Sequence, residues 1–213
     1  MNKGFFITFE GGEGAGKSIQ VEILVSHLHE EGYAVLVTRE PGGTRIGEQI
    51  RTITHSQENV DLDPVAEAYL MAAARAQHVR QIIAPVLEAG KIVVCDRFVD
   101  SSLAYQGYGR KLGVDVVEEL NALAVNGAKP DCTIFLNIAP DIGMKRRNKS
   151  RKPSDRLDVQ RLDFYQRVHD GYLVLAKREP SRYVVIDASK SIEGVAAQIW
   201  NVVKTKLPKA QTR

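Results

Sequence analysis

A short apolar run, Phe5 to Phe9, passes directly into GGEGAGKS, Gly11 to Ser18, and then into Val21, Leu24, Val25 and Leu28 at helical spacing. The spacing G-x-x-x-x-G-K-[ST] between a strand and a helix is what a phosphate cradle requires. Its glycines let backbone N–H groups turn inward around a phosphate where a Cβ would clash. The N-terminal end of the helix adds a positive pole. Gly11, Gly12, Glu13, Gly14, Ala15, Gly16, Lys17 and Ser18 therefore form the candidate phosphate-binding loop. Within it Lys17 is placed to reach the β- and γ-oxygens of a triphosphate, and the Ser18 hydroxyl to ligate Mg²⁺. A glycine-rich β-turn is the alternative, but it has no need of the strand and helix on either side.

A phosphate loop demands a strand-and-helix scaffold, and the rest of the chain supplies one. Further strands are expected at Tyr33 to Val37, Ile92 to Cys95, Thr133 to Ile138 and Tyr183 to Ile186. Helices are expected after Thr44, whose hydroxyl can cap one, over 64–89 with Pro85 as a kink, over 114–125, and along the stripe Ile192, Val195, Ala196, Ile199, Val202, Val203. Alternation of this kind predicts an α/β P-loop fold: a five-stranded parallel sheet with helices on both faces and ligands beyond the carboxyl ends of the strands. At 213 residues the chain fits a single domain with a small mobile lid at about 146–157, and residues 208–213 read as a flexible tail. The net charge of +3 excludes a surface that is a nucleic-acid footprint throughout. No apolar run approaches the ~18 residues a membrane span needs. The opening MNKGFFITFEGG turns polar too quickly for a signal peptide, and Cys95 and Cys132 both lie in apolar runs. A cytoplasmic protein with two buried thiols is the expectation.

The third strand ends in CDRF, Cys95 to Phe98. Asp96 at the carboxyl end of an apolar strand is positioned to hold a metal-bound water, and the fork of Arg97 suits bidentate phosphate contact. In SSLAYQGYGR, Ser101 to Arg110, residues Ser102, Tyr105 and Gln106 fall within about one helical turn and can share a face. Gln106 could read a base edge and Tyr105 could wall a sugar. An ordinary capped helix leading into a glycine turn fits that spacing equally well. The guanine-reading N-K-x-D signature and a D-x-x-G metal loop are both absent, which disfavours a GTP switch.

Taken together, FEGGEGAGKS, TREPGGTRIGEQIR, MAAARAQH, CDRFVDSSLAYQGYGR and VVIDAS, in this order and spacing, resemble the bacterial thymidylate kinase (dTMP kinase) family over about residues 3 to 206. The resemblance implies Mg²⁺-dependent transfer of the γ-phosphoryl group of ATP to dTMP by a homodimer. It implies that Arg75 bonds a thymine carbonyl, that Gln106 and Ser102 read the other base edge, and that Tyr105 crowds the 2′ position. It further implies that Arg51 and Arg97 hold the acceptor phosphate, that Glu13 lies near the 3′-hydroxyl and the metal, and that Asp155 and Arg156 match the lid's Asp–Arg. Three departures stand out. Met71 occupies a position where many relatives stack a Phe on thymine, and a thioether can still pack on a ring face. Asp158-Val159-Gln160 is less acidic than the family's pattern, and Gly12 to Ala15 carry no Arg.

The basic run Arg146 to Arg156, with six Lys or Arg among its eleven residues, has three readings. It could be a solvated loop or a nucleic-acid arm, although it lacks the interleaved aromatics of the latter. It fits better as a lid bringing Arg147, Lys149 or Arg151 to the transferring phosphoryl group, as family members without an arginine in the loop do. The acceptor phosphate, with a second pKa near ~6, is already ionised at neutral pH and needs no general base. A deoxynucleoside kinase, an ATP-dependent binding or switch protein, and a kinase for a small acid are the competing readings. Arg51 and Arg97 argue against the first, because a hydroxyl acceptor brings no second phosphate.

Overall fold

The computed structural model describes residues 4–149, 156–157 and 160–208. Five strands form one sheet in the order β2-β3-β1-β4-β5. They are β1 (Phe5–Glu10), β2 (Val35–Arg39), β3 (Ile92–Asp96), β4 (Cys132–Asn137) and β5 (Tyr183–Asp187), and every neighbouring pair is parallel. Successive side chains on β1 point to opposite faces, and both faces are covered. Ile7 and Phe9 pack with Leu24 and Leu28 of α1 (Lys17–Glu30) and with Ile199 and Val203 of α9 (Ile192–Lys206). Phe6 packs on the other side with Val93, Ile83 and Phe98. Because β1 lies at the centre and the chain crosses from β3 to β4 on its far side, the crevice at the carboxyl ends of β1 and β3 is a topological switch point.

Most elements lie within two residues of the expectation. The second strand is shifted to Val35–Arg39, because Tyr33 is used to close the turn after α1: Gly32 has φ 82° and the Tyr33 amide donates to Leu28 O at 2.9 Å. Thr44 caps α2 (Arg45–His55), accepting from the Gly47 amide at 2.9 Å. The long helix is interrupted. It runs as α3 (Pro64–His78), widens to a π-helical turn over Val79–Ile83, and continues as α4 (Ala84–Glu88). Pro85 has no amide hydrogen to give Gln81 O, so the hydrogen-bond ladder loosens just before it. The SSLAYQGYG segment is a short α5 (Val99–Ser102) followed by a π-helical stretch, Leu103–Gly109, and α6 is Val114–Val125.

Two helices have no counterpart in the sequence reading. Helix α7 (Pro140–Lys149) carries the first half of the basic run, and α8 (Leu162–Arg178) packs Phe164, Tyr165, Val168 and Tyr172 against Leu103, Tyr105 and Phe135. Gly171 in mid-α8 masks the helical signal. It is needed there because a Cβ would come within 2.6 Å of the Tyr108 ring.

Candidate active site

The phosphate loop leaves β1 with Gly11, Gly14 and Gly16 at φ 139°, 67° and 91°, all in the region that favours glycine. Gly14 is also a contact. A Cβ there would lie 2.0 Å from Gly143 O, and one on Gly143 would lie 2.4 Å from Glu13 O, so the loop and α7 touch backbone to backbone. Lys17 folds over the loop and donates to Gly11 O at 3.1 Å and Gly12 O at 3.0 Å. Burial, then Arg97, pulls the Lys17 pKa down, while Glu13, Asp96 and Glu10 oppose that shift.

Across the crevice Asp96 ends β3, in register with Phe9 of β1. Ser18 Oγ lies 3.5 Å from Asp96 Oδ2, and Asp96 Oδ1 is buried with no hydrogen-bond partner among the described residues. A hydroxyl and an orphaned carboxylate oxygen beside a phosphate loop are hard donors that fit Mg²⁺, an ion usually held by one or two protein oxygens together with phosphates.

Arg97 has φ 69°, uncommon for a side chain that carries a Cβ, and the surroundings fix it there. Its amide donates to Phe9 O at 2.9 Å. Its guanidinium donates to Gly11 O (3.0 Å), Ser101 Oγ (3.2 Å), Glu13 Oε1 (2.6 Å) and Tyr105 Oη (3.1 Å), and lies 4.9 Å from the Tyr105 ring centre. Tyr105 Oη donates to Glu13 Oε1 at 3.1 Å. Burial would raise the Glu13 carboxyl, but Arg97, Lys17, the Tyr105 hydrogen bond and Arg147 hold it down to about 2. Beneath Arg97 sits Glu10, fully buried, accepting from the Phe98 amide (2.8 Å), Ser101 Oγ (2.6 Å) and Tyr172 Oη (2.9 Å). Burial and the neighbouring Asp100 push it up to about 7, against the Ser101 hydrogen bond, Arg97 and the Phe98 amide.

The other end of the same cleft, about 450 Å³ in volume, is lined by Arg51, His55, Met71, Arg75, Ser102 and Gln106. Arg75, almost wholly buried, donates from Nε to Glu40 Oε2 (2.8 Å), from Nη1 to Ser102 Oγ (3.0 Å) and Asn121 Oδ1, and from Nη2 to Phe98 O (3.1 Å). His78 braces the opposite oxygen of Glu40 at 3.0 Å. Gln106 donates to Glu67 Oε1 at 2.6 Å, and Glu67 Oε2 accepts from Arg110 at 3.1 Å and from Arg156. Arg51 donates to Pro41 O at 3.1 Å.

The structure thus brings the phosphate loop, Asp96, Arg97 and the Arg51–Met71–Arg75–Ser102–Tyr105–Gln106 wall into one cleft. Arg146 and Arg147 line its mouth, and Arg146 is tied to Ala188 O at 2.8 Å. Lys149, at the end of α7, is exposed and is not among the lining residues. Arg151 and Asp155 lie outside the described residues. Arg156 is buried away from the phosphate loop, where it donates from its amide to His55 O and from Nε to Thr54 O, both at 3.0 Å. Sequence reasoning missed Glu10, Glu40, His55 and Glu67. Glu10 and Glu40 carried a signal, as acids within the FEGGEGAGKS and TREPGG segments.

Fold and site together define a P-loop phosphotransferase. The family model described as thymidylate kinase matches residues 9–199. The chain is 49% identical over 205 residues to a thymidylate kinase of Synechococcus sp. (strain JA-2-3B'a(2-13)), covering 96% of this chain and 97% of that protein. It is 45% identical over 209 residues to a thymidylate kinase of Bacillus pumilus, covering 98% and 99%. A crystal structure of thymidylate kinase from Ehrlichia chaffeensis matches with a TM-score of 0.77 at 34% identity, covering 95% of this chain and 99% of that one. The chain belongs to the thymidylate kinase family.

Proposed function

We propose that this chain transfers the γ-phosphoryl group of ATP to the phosphate of dTMP. The observation that carries this reading is Arg97, locked by Glu13 and Tyr105 within the same cleft as the phosphate loop. A second cation site so close to Lys17 is of use only if a second phosphate is to be held there. The family relationship names the acceptor, and the buried Arg75–Ser102 and Gln106–Glu67 pairs supply oriented polar groups to read a base.

In this reading Lys17, Arg51 and Arg97 offset the repulsion between donor and acceptor phosphates, and Arg147 reaches the transferring group from α7. Lys149 and Arg151 are the further candidates for that last role. Tyr105 and Glu13, already hydrogen-bonded to each other, face the sugar. Ser18 and Asp96 would hold Mg²⁺, which when bound neutralises charge on the β- and γ-phosphates. The acceptor oxygen attacks without a general base, so catalysis comes down to alignment and charge.

Residues 146–157 serve as a lid on a single domain. The exposed Val65 and Tyr69 of α3, Val116 and Leu123 of α6 and Ile53 of α2, on three helices packed together, suit a homodimer interface, which light scattering tests. A cytoplasmic location agrees with two buried, unpaired thiols, and no helix among the described residues is long and apolar enough to cross a membrane.

The functional test is ADP release from Mg-ATP with dTMP, dUMP, dCMP, dGMP, AMP and thymidine in parallel. dTMP is expected to be the preferred acceptor and thymidine to be inert. Turnover that does not depend on a monophosphate would refute the reading.

A further inference from the structure

His55 ends α2 one helical turn beyond Arg51, and its imidazole lines the cleft beside Arg51 and Arg97. The ring is held from several sides. Nδ1 lies 3.0 Å from Oγ1 of Thr54, a fully buried residue whose own hydroxyl donates to Arg51 O at 3.3 Å. With that hydroxyl hydrogen engaged, the Thr54 oxygen is left to accept from Nδ1–H, which puts the lone pair on Nε2. Nε2 has no hydrogen-bond partner among the described residues. The carbonyls of Thr54 and His55 are both taken by Arg156, which fixes the backbone beneath the ring.

The charged groups around it among the described residues are Arg51 from its own helix, Arg97 from the end of β3, Arg156 from the end of the lid segment, and Glu13 from the phosphate loop. Three guanidinium groups and the Glu13 carboxylate act on the half-buried ring, with Arg97 already paired with Glu13 and Arg156 with Glu67, so added negative charge between Arg51 and Arg97 would favour the imidazolium.

We propose that His55 is a substrate-contacting residue at the acceptor end: Nε2 takes up one proton as the acceptor phosphate binds and then donates a hydrogen bond to that phosphate. The Nε2 lone pair forms the new N–H bond. The proton comes from solvent or from the monoanionic form of the ester, and no bond to phosphorus is made or broken. Without the ligand, burial and then Arg51 and Arg97 hold the imidazole down to about 4, so it is neutral at physiological pH. A dianion placed between those arginines reverses the balance of charge at the ring. The chain therefore couples acceptor binding to protonation in a way that an apolar residue at this position could not.

The inference rests on the acceptor phosphate lying between Arg51 and Arg97, and the experiment separates the two claims. The ring resonances of His55, assigned by their loss in His55→Gln, are followed by NMR against pH alone, with saturating dTMP, and with thymidine. Saturating dTMP is expected to raise the pKa of the ring past the ordinary imidazole value of about 6.5 to above the assay pH, as uptake of one proton requires, and thymidine is expected to leave it in place. In steady-state assays His55→Leu should raise the KM for dTMP on the order of tenfold, as loss of one charge-assisted hydrogen bond would, and leave the KM for ATP unchanged. A pKa that stays put under saturating dTMP, in an enzyme that turns dTMP over, overturns the role of His55 and leaves the functional reading intact. An equal shift with thymidine also overturns it. Absence of monophosphate-dependent turnover removes both.

Discussion

Replacing Glu67 by Gln should destabilise the protein by about 3 kcal/mol, the lower end of the cost of removing one partner from a buried ion pair. Glu67 is 1% exposed, and its carboxylate serves Gln106 on one oxygen and both Arg110 and Arg156 on the other. Burial opposes its ionisation, yet Arg110 and the hydrogen bonds from Arg156 and Gln106 hold its pKa below the usual carboxylate range. The neutral amide removes from both guanidinium groups the counter-charge that Glu67 supplies. Arg156 is 3% exposed and bears the loss in full, whereas Arg110 is open enough for water to help, which favours the lower figure. For a chain of this size each kcal/mol moves the melting temperature by ~2–4 °C, so a drop of roughly 6–12 °C is expected at neutral pH. Because the folded-state pKa is lowered, the advantage of wild type is complete above the unfolded value of about 4.3 and shrinks as the pH falls below it. Thermal unfolding by circular dichroism at pH 7.5 and again under acid measures both. Arg110→Gln and the double variant complete a cycle that should show coupling of at least ~0.5 kcal/mol. If Glu67→Gln melts within 2 °C of wild type at pH 7.5, the buried hub does not hold the lid end to α3 and the reasoning fails.

Lys17→Ala should lower kcat by at least ~10²-fold in the coupled assay, as loss of a charge-stabilising group does, and near-normal turnover would remove Lys17 from the phosphate cradle. Glu10 ought to show the opposite pH sign to Glu67. Its folded pKa of about 7 lies above the unfolded value, so its contribution is complete below pH ~4.5 and is lost as pH rises to about 7, roughly 3 kcal/mol in all. Urea unfolding of wild type and Glu10→Gln at pH 5 and pH 8 tests this by difference, which cancels the opposing slope of His55. Gly171→Ala should cost ~1–3 kcal/mol by overpacking against the Tyr108 ring, read from the urea midpoint.

What could be read in the sequence was whatever local geometry encodes. The phosphate loop must turn within eight residues between a strand and a helix, so its glycines, Lys17 and Ser18 sit at fixed offsets. Asp96 and Arg97 were legible because a strand end places them, and Thr44 because a cap is a local hydrogen bond. The supporting side chains were not. Glu40 meets Arg75 across 35 residues, Asn121 meets it across 46, and Glu67 meets Arg156 across 89, and only tertiary packing sets such pairs. Helix α8 escaped notice because Gly171 interrupts an otherwise periodic face, for a steric reason that lies in another segment. His55 carries no sequence signature, and its interest arises from what surrounds it.

The bare-backbone contact between Gly14 and Gly143 acts as a ruler. With no side chain on either partner, the first turns of α7 are butted against the phosphate loop, so the stations of Arg146 and Arg147 are measured from the loop itself. Enlarging Gly143 one atom at a time would lengthen that ruler in small increments. It would move the arginines away from the triphosphate while the added atoms bear on the Glu13 carbonyl of the loop.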